Sequence, residues 1–338
     1  MQTLTLSRFA ISLGGAAALL AGCGVLQPVG ATGAMPQTSA TPLHKTFTPG
    51  HLYVAQGADI AALVYRYPLD ANGLPSRTPD GRLDLHFRNP GGIAIGPDGD
   101  LYVSDSGDAY ACKKEQLCVV DVFAPQASGH AKPIRTLYVP QQPQYVAVDQ
   151  RGYLDVSVLQ DPGTTNVYAP HANGHDNPVN TLTSDGVWAL AASHRVAYIQ
   201  TIDEGVQGIH ELPSKHGPLS YSYGPSSDSS NGVATDATHL YADYFWLEGR
   251  TFYQATAIWN LGEPGNPLRA VIGTGCRVSF SGGALGYGLA VYKKYIFQGC
   301  IGGDGGAGSV YVYNSSKNGK QKPIERLNGG LAGVAVGP

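Results

Sequence analysis

One sixteen-residue pattern recurs along the chain and constrains its fold more than any other feature. "VFAPQASGHAKPIRTL" (122–137), "VYAPHANGHDNPVNTL" (167–182) and "VYNSSKNGKQKPIERL" (312–327) follow one plan. An apolar and an aromatic residue lead into a short polar turn with Gly. Pro follows four positions later, and Leu ends the pattern. The Gly–Pro pairs are Gly129–Pro133, Gly174–Pro178 and Gly319–Pro323. Looser copies at 65–81, 209–224 and 258–273 bring the total to six.

A second pattern alternates with the first. Its clearest copy is "GGIAIGPDGDLYVSDSG" (91–107), and its kin lie at 144–158, 185–200, 231–245 and 287–299. Their first apolar residues are Ile93, Val146, Val187, Val233 and Leu289, spaced 41 to 56 residues apart. Periods near this length, built from short strands, signal a β-propeller with one four-stranded blade per repeat. Composition agrees: 45 Gly serve many turns, 20 Tyr suit strands, and only 14% of residues are charged. Within a unit, "IAIGPDGDLYVSD" reads as two alternating strands around a Pro-Asp-Gly turn. The Gly-x-x-x-Pro stretch joins the two outer strands, with Pro at a strand start or edge where no N–H is needed.

The ends complete the pattern. "LAGVAVGP" (331–338) is half of the second motif and "HLYVAQG" (51–57) is the other half. The expectation is an all-β, six-bladed propeller of four-stranded antiparallel blades. Its ring would be closed by the C-terminal strand pairing with the N-terminal strands, which removes free sheet edges.

The segment before the repeats reads as targeting sequence. Met1–Arg8 carries one positive charge, and the apolar run Phe9–Leu20 is short for a membrane span. It ends in "LLAGC" (19–23), which resembles the lipobox of bacterial lipoproteins. The resemblance implies a signal peptide over 1–22, acylation of Cys23, and a flexible tether over 23–49 ahead of the propeller at 50–338. Gly24 is not the Asp that favours inner-membrane retention in that family, so the outer membrane or cell surface is the expected location. An exported domain keeps disulfides. Cys112, Cys118, Cys276 and Cys300 allow three pairings, and the local ones, Cys112–Cys118 and Cys276–Cys300, are expected. No C-x-x-C or nearby His favours metal binding by these thiols.

The pattern "GGIAIGPDGDLYVSDSG" resembles the NHL repeat, and 51–338 resembles the six-bladed superfamily that includes NHL and gluconolactonase-like proteins. Such rings carry sites at the mouth of a central channel. Aligned repeats place Gly91, Gln144, Asp185, Asn231, Tyr287 and Ala332 there. Gln144, Asp185, Asn231 and Tyr287 bear oxygen, the kind of ligand Ca²⁺ or another hard divalent cation takes. "SSNGVATD" (229–236) and "SDGVWAL" (184–190) are similar to the Asn-Gly and Asp-Gly segments of gluconolactonases. That similarity implies Asn231 and Asp185 as metal ligands, although the Asp blade precedes the Asn blade here. No counterpart of that family's N-terminal Glu ligand is found near 51–60. Asx residues also stabilise their own turns, a structural account of the same two positions.

Other features carry less. His171 and His175 sit on a loop, "GGDGGAGS" (302–309) has no helix behind it, and no G-x-S-x-G occurs. Seven aromatics crowd 240–259, a pattern that mostly fills space between blades. The net charge of −3 and the lack of a basic stripe argue against nucleic acid. The expected protein is a lipid-anchored, monomeric envelope module that binds or scaffolds, with an envelope protein or a glycan as partner. A divalent-metal lactonase is the alternative.

Overall fold

The computed structural model describes residues 50–57, 62–87, 89–105, 118–158, 163–184, 187–193, 196–203, 206–213, 219–221, 232–248, 251–261, 267–278, 288–300, 308–328 and 333–338. All lie in the unit His44–Pro338. The fold is an all-β propeller of small antiparallel sheets.

The first sheet holds β1 (His51–Gln56), β2 (Leu63–Pro68) and β3 (Gly81–Asp84), with β25 (Gly333–Gly337) on the inner side of β1. The second runs β4 (Pro90–Ile95), β5 (Leu101–Asp105), β6 (Val119–Phe123), β7 (Arg135–Tyr138). The third runs β8 (Pro143–Val148), β9 (Leu154–Val158), β10 (Gly163–Tyr168), β11 (Asn180–Ser184). The fourth runs β12 (Val187–Ser193), β13 (Val196–Asp203), β14 (Val206–Pro213), β15 (Leu219–Tyr221). The fifth holds β16 (Val233–Thr235), β17 (His239–Glu248), β18 (Thr251–Asn260) and β19 (Arg269–Val278), joined by β23 (Gly319–Gln321). The sixth runs β20 (Leu289–Tyr292), β21 (Tyr295–Cys300), β22 (Ser309–Asn314), β24 (Glu325–Asn328).

Among the described residues, five sheets are four-stranded and one is five-stranded. The expectation of six uniform four-stranded blades is corrected at that one. β23 comes from the outer hairpin of the sixth sheet and pairs in parallel with β19 of the fifth.

Burial on both faces explains the strand sequences. In β1, Leu52 and Val54 pack with Phe297 and Val310 of the sixth sheet. Tyr53 and Ala55 pack with Ile93 and Val103 of the second. Side chains alternate, so a strand buried on both sides reads as an unbroken apolar run. Each fully buried Leu or Val contributes about 1.5–3 kcal/mol. Comparable buried clusters lie between the second and third sheets, the fourth and fifth, and the fifth and sixth. Ala147 and Leu190 make a smaller one between the third and fourth. At the chain ends β25 pairs antiparallel with β1, Gly50 N donates to Gly337 O at 2.8 Å, and the Tyr53 hydroxyl donates to Pro338 O at 2.7 Å.

The recurring Gly of the first pattern does more than turn the chain. Gly129 N donates to Arg82 O at 2.6 Å, and Asp84 N donates to Gly129 O at 2.8 Å. Gly174 repeats this on the next outer strand, with Thr136 O at 2.8 Å and Tyr138 N at 2.7 Å. Gly319 pairs with Val271 in the same parallel sense. Each hairpin therefore clasps the outer strand of the preceding sheet. Gly129, Gly174 and Gly319 have φ of 61°, 59° and 80°, a region L side chains enter at a cost. At Gly174 and Gly319 the preceding Asn completes the clasp. Asn173 Oδ1 accepts from Thr136 N at 3.2 Å, and Asn318 Oδ1 accepts from Ala270 N at 2.9 Å. His175 stacks on Tyr138 with centroids 4.6 Å apart, so this histidine belongs to a clasp. His171 occupies a positive-φ turn position.

Cys276 on β19 and Cys300 on β21 form a disulfide. This is the pairing expected from the sequence. It joins the outer strand of the fifth sheet to the second strand of the sixth. Cys118 is also disulfide-bonded, and Cys112 lies outside the described residues. In the aromatic-rich stretch, Tyr241 and Trp259 are buried, Tyr244 packs against the core, and Lys320 lies over the Tyr253 ring at 5.4 Å.

Candidate functional site

The inner strands β4, β8, β12, β16, β20 and β25 surround one cavity of ≈ 50 Å³. Gly92, Gly232, Gly288 and Gly333 are among its lining residues. A Cβ on Gly288 would meet the backbone nitrogen of Val334 at 2.8 Å, so the glycines let neighbouring backbones approach. This volume suits a few waters and falls well below the roughly 300–1,000 Å³ of small-molecule pockets.

Polar side chains stand just behind that wall. On the second strand, the residue after the partner of the first inner apolar residue is Ser104 in the second sheet, Ser157 in the third and Asp243 in the fifth, while Gln298 of the sixth lies one position earlier, paired with Leu289. Ser104 Oγ accepts from Gly92 N at 2.8 Å and contacts Gly92 O at 3.2 Å and Gln144 O at 3.1 Å. Ser157 Oγ accepts from Tyr145 N at 3.0 Å. Both serines pin the start of an inner strand, where side-chain partners replace lost ladder bonds at the β4–β5 and β8–β9 irregularities.

In the fifth sheet this position belongs to a buried cluster that Gln298 of the sixth sheet completes. Asp243 is 2% exposed. It accepts from Gln254 Nε2 at 2.7 Å, Thr256 Oγ1 at 2.7 Å and Gln298 Nε2 at 3.1 Å. A Cβ on Gly232 would lie 2.8 Å from Asp243 Oδ2, so the carboxyl sits directly behind the channel wall. Burial pushes its pKa up to about 7 against the opposing pull of its donors. Gln254 Oε1 and Gln298 Oε1 are buried without a hydrogen-bond partner. A second buried carboxyl, Asp155 on β9, is raised to about 8 by burial and then by Asp149, with Arg151 opposing.

The residues expected at the mouth divide as follows. Gln144 is half-buried on β8, and its backbone carbonyl is what the structure engages. Asp185, Asn231 and Tyr287 lie outside the described residues. The Asp243 cluster was missed because Asp243, Gln254, Thr256 and Gln298 share no motif and come together only when β17, β18 and β21 lie side by side. Among the described residues no group of three His, Cys, Asp or Glu side chains could hold a metal. The donors around Asp243 are N–H and O–H groups, which suit a carboxyl and not a cation. The described residues therefore do not fit a divalent metal.

Comparison with known proteins gives a family match over a short span. The NHL repeat model matches residues 87–109. No curated protein sequence matches the chain. Among solved structures, hydrazine synthase of Kuenenia stuttgartiensis is similar at 14% identity and TM-score 0.46, covering 68% of this chain and 64% of that one. This chain thus spans less than two thirds of that protein. The dihydro-heme d1 dehydrogenase NirN is similar at 14% identity and TM-score 0.43, covering 85% and 76%. The PQQ-bound aldose sugar dehydrogenase of Streptomyces coelicolor is similar at 16% identity and TM-score 0.42, covering 57% and 69%.

Proposed function

We propose that the chain is a six-bladed propeller, closed by β25 on β1, that serves as an exported, lipid-anchored binding or scaffold module of the cell envelope. The observation that carries this reading is how the polar groups behind the channel are spent. Ser104 and Ser157 bond inner-strand backbone, and Asp243 takes three hydrogen bonds from its neighbours. Groups so engaged hold a scaffold together. The packing of β1 between the second and sixth sheets supports closure. Cys23 after an apolar run supports the anchor, and a Cys23→Ala variant is expected in the soluble fraction.

One observation favours the lactonase alternative: a carboxyl raised to about 7 lies behind Gly232, next in sequence to Asn231. One experiment separates the readings. The full chain is assayed for hydrolysis of sugar lactones with Ca²⁺, Mn²⁺ or EDTA, and its thermal midpoint is followed in each. A folded-state ligand at about 100 times its Kd adds roughly 2.7 kcal/mol. Coincident midpoints and no turnover are expected. Metal-dependent turnover, lost in an Asp185→Ala, Asn231→Ala double variant, would establish the enzyme instead.

A further inference from the structure

The junction between the sixth and first sheets is built differently from the clasped ones. Sixteen positions separate Tyr67 from Leu83, against fourteen from Phe123 to Leu137 and from Tyr313 to Leu327. The longer hairpin carries its own Asn-Gly pair, Asn72–Gly73, away from the outer strand β24. Gly73 lies against the Tyr292 ring, and Lys293 Nζ donates to Ala71 O at 2.6 Å. Between β2 and β24 there remains a cavity of ≈ 750 Å³.

Its lining has a definite chemistry. Tyr65 and Tyr67 are two apart on β2 and share a wall, with ring centroids 6.4 Å apart. At the rim, Arg77 Nε lies 3.0 and 3.1 Å from the two carboxylate oxygens of Glu325. The arginine side chain is 79% exposed and the glutamate 13%, so the guanidinium faces the opening and the carboxylate lies beneath it. Gln56 and Asn328 also line the cavity. Tyr67 is buried and its hydroxyl donates to Asn328 O at 3.3 Å, so Tyr65 supplies the accessible face, an apolar platform with a polar edge. The carboxylate accepts from hydroxyls, the guanidinium donates to them, and amides do both. Arg326 also lines the cavity, but its Nε donates to Ser309 Oγ at 3.1 Å and its guanidinium lies over the Tyr311 ring. The remaining rim pair, Arg77 and Glu325, is neutral, which favours an uncharged ligand over an anion. Glu325, Arg326 and Asn328 on the four-residue β24 are the kind of side chains that blunt edge pairing, which disfavours an added peptide strand. The volume falls within the range of small-ligand pockets.

We infer that the groove between β2 and β24 binds a neutral oligosaccharide, its sugar face on Tyr65 and its hydroxyls on Arg77 and Glu325. This deepens the binding-module reading and rests on it. The test uses the full chain in detergent with cellotetraose, maltotetraose, xylotetraose and chitotetraose, followed by saturation-transfer NMR and calorimetric titration. At least one sugar should bind saturably and with little dependence on salt. Tyr65→Ala should weaken it about tenfold, the scale of one stacking contact. Tyr65→Phe, which keeps the ring, should bind within about threefold of the parent. If Tyr65→Ala lowers the melting temperature sharply, the exposed Arg77→Ala replaces it and should also weaken binding. Failure of all four sugars to bind overturns the inference. So does binding that neither Tyr65→Ala nor Arg77→Ala alters. Lactone turnover, which would end the module reading, is a separate readout and does not mimic either result.

Discussion

The junction of the second and third sheets and that of the sixth and first solve one problem in two ways. At the former, Asn173 and Gly174 reach from one hairpin to the outer strand of its neighbour. At the latter, the outer strands are linked by Arg77 and Glu325, and the Tyr53 hydroxyl on Pro338 O and the β1–β25 ladder hold the inner edge. A clasp made of one turn is short and local. A junction made from the two ends of the chain is held from within and opens a groove at its outer side. The difference teaches that the bland repeat is a joint between sheets, and that the departure from it is where a ligand can enter.

The largest effect should come from breaking the inner edge. Deleting 331–338 removes β25, with buried Val334 and Ala335, and the acceptor of the Tyr53 hydroxyl. A fall in melting temperature of about 10 °C or more, or failure to fold, is expected in a thermal scan. An unchanged midpoint would mean that the end-to-end junction adds nothing.

A medium effect should appear with pH at the fifth and sixth sheets. Asp243 has a folded pKa of about 7, above the roughly 3.9 of an unfolded Asp. The folded state therefore holds the proton over that interval, and stability falls as pH rises from about 4 to about 7. Asp155, raised to about 8, extends the fall. Denaturant titrations across this range should show the slope, and Asp243→Asn should flatten its lower part. A slope that Asp243→Asn leaves unaltered would remove the cluster from the account.

The smallest effects belong to single clasps. Gly174→Ala places a side chain at φ 59° with open space around it, so the cost is conformational, about 1 kcal/mol. Asn173→Ala should cost a similar amount, one hydrogen bond. Urea unfolding of each variant measures it, and neutral substitutions would reduce the clasp to a geometric coincidence.

The strands and their order were legible in the sequence because burial on both faces writes unbroken apolar runs such as "LYVA" in β1. The clasp was half legible. Gly and Pro marked a hairpin, but nothing local shows that Gly129 bonds a strand more than forty residues earlier. The extra strand β23 was hidden for the same reason, since it depends on which sheets come to lie side by side; the Cys276–Cys300 pairing was legible, but that it crosses between two sheets was not. Recurrence alone does not mark the core: Ile134, Val179 and Ile324 follow the repeated Pro in each copy yet are 53%, 60% and 45% exposed. Asp243 and Gln298 carried no motif. Their meaning comes from sitting behind Gly232 and beside each other across two sheets.

Amide hydrogen exchange tests the contrast between junctions most directly. Asp84 N and Tyr138 N donate to clasp glycines, and the corresponding amide on β24 is that of Asn328. The account predicts slow exchange at Asp84 and Tyr138 and fast exchange at Asn328 in the same molecule. Equal protection at all three would contradict it.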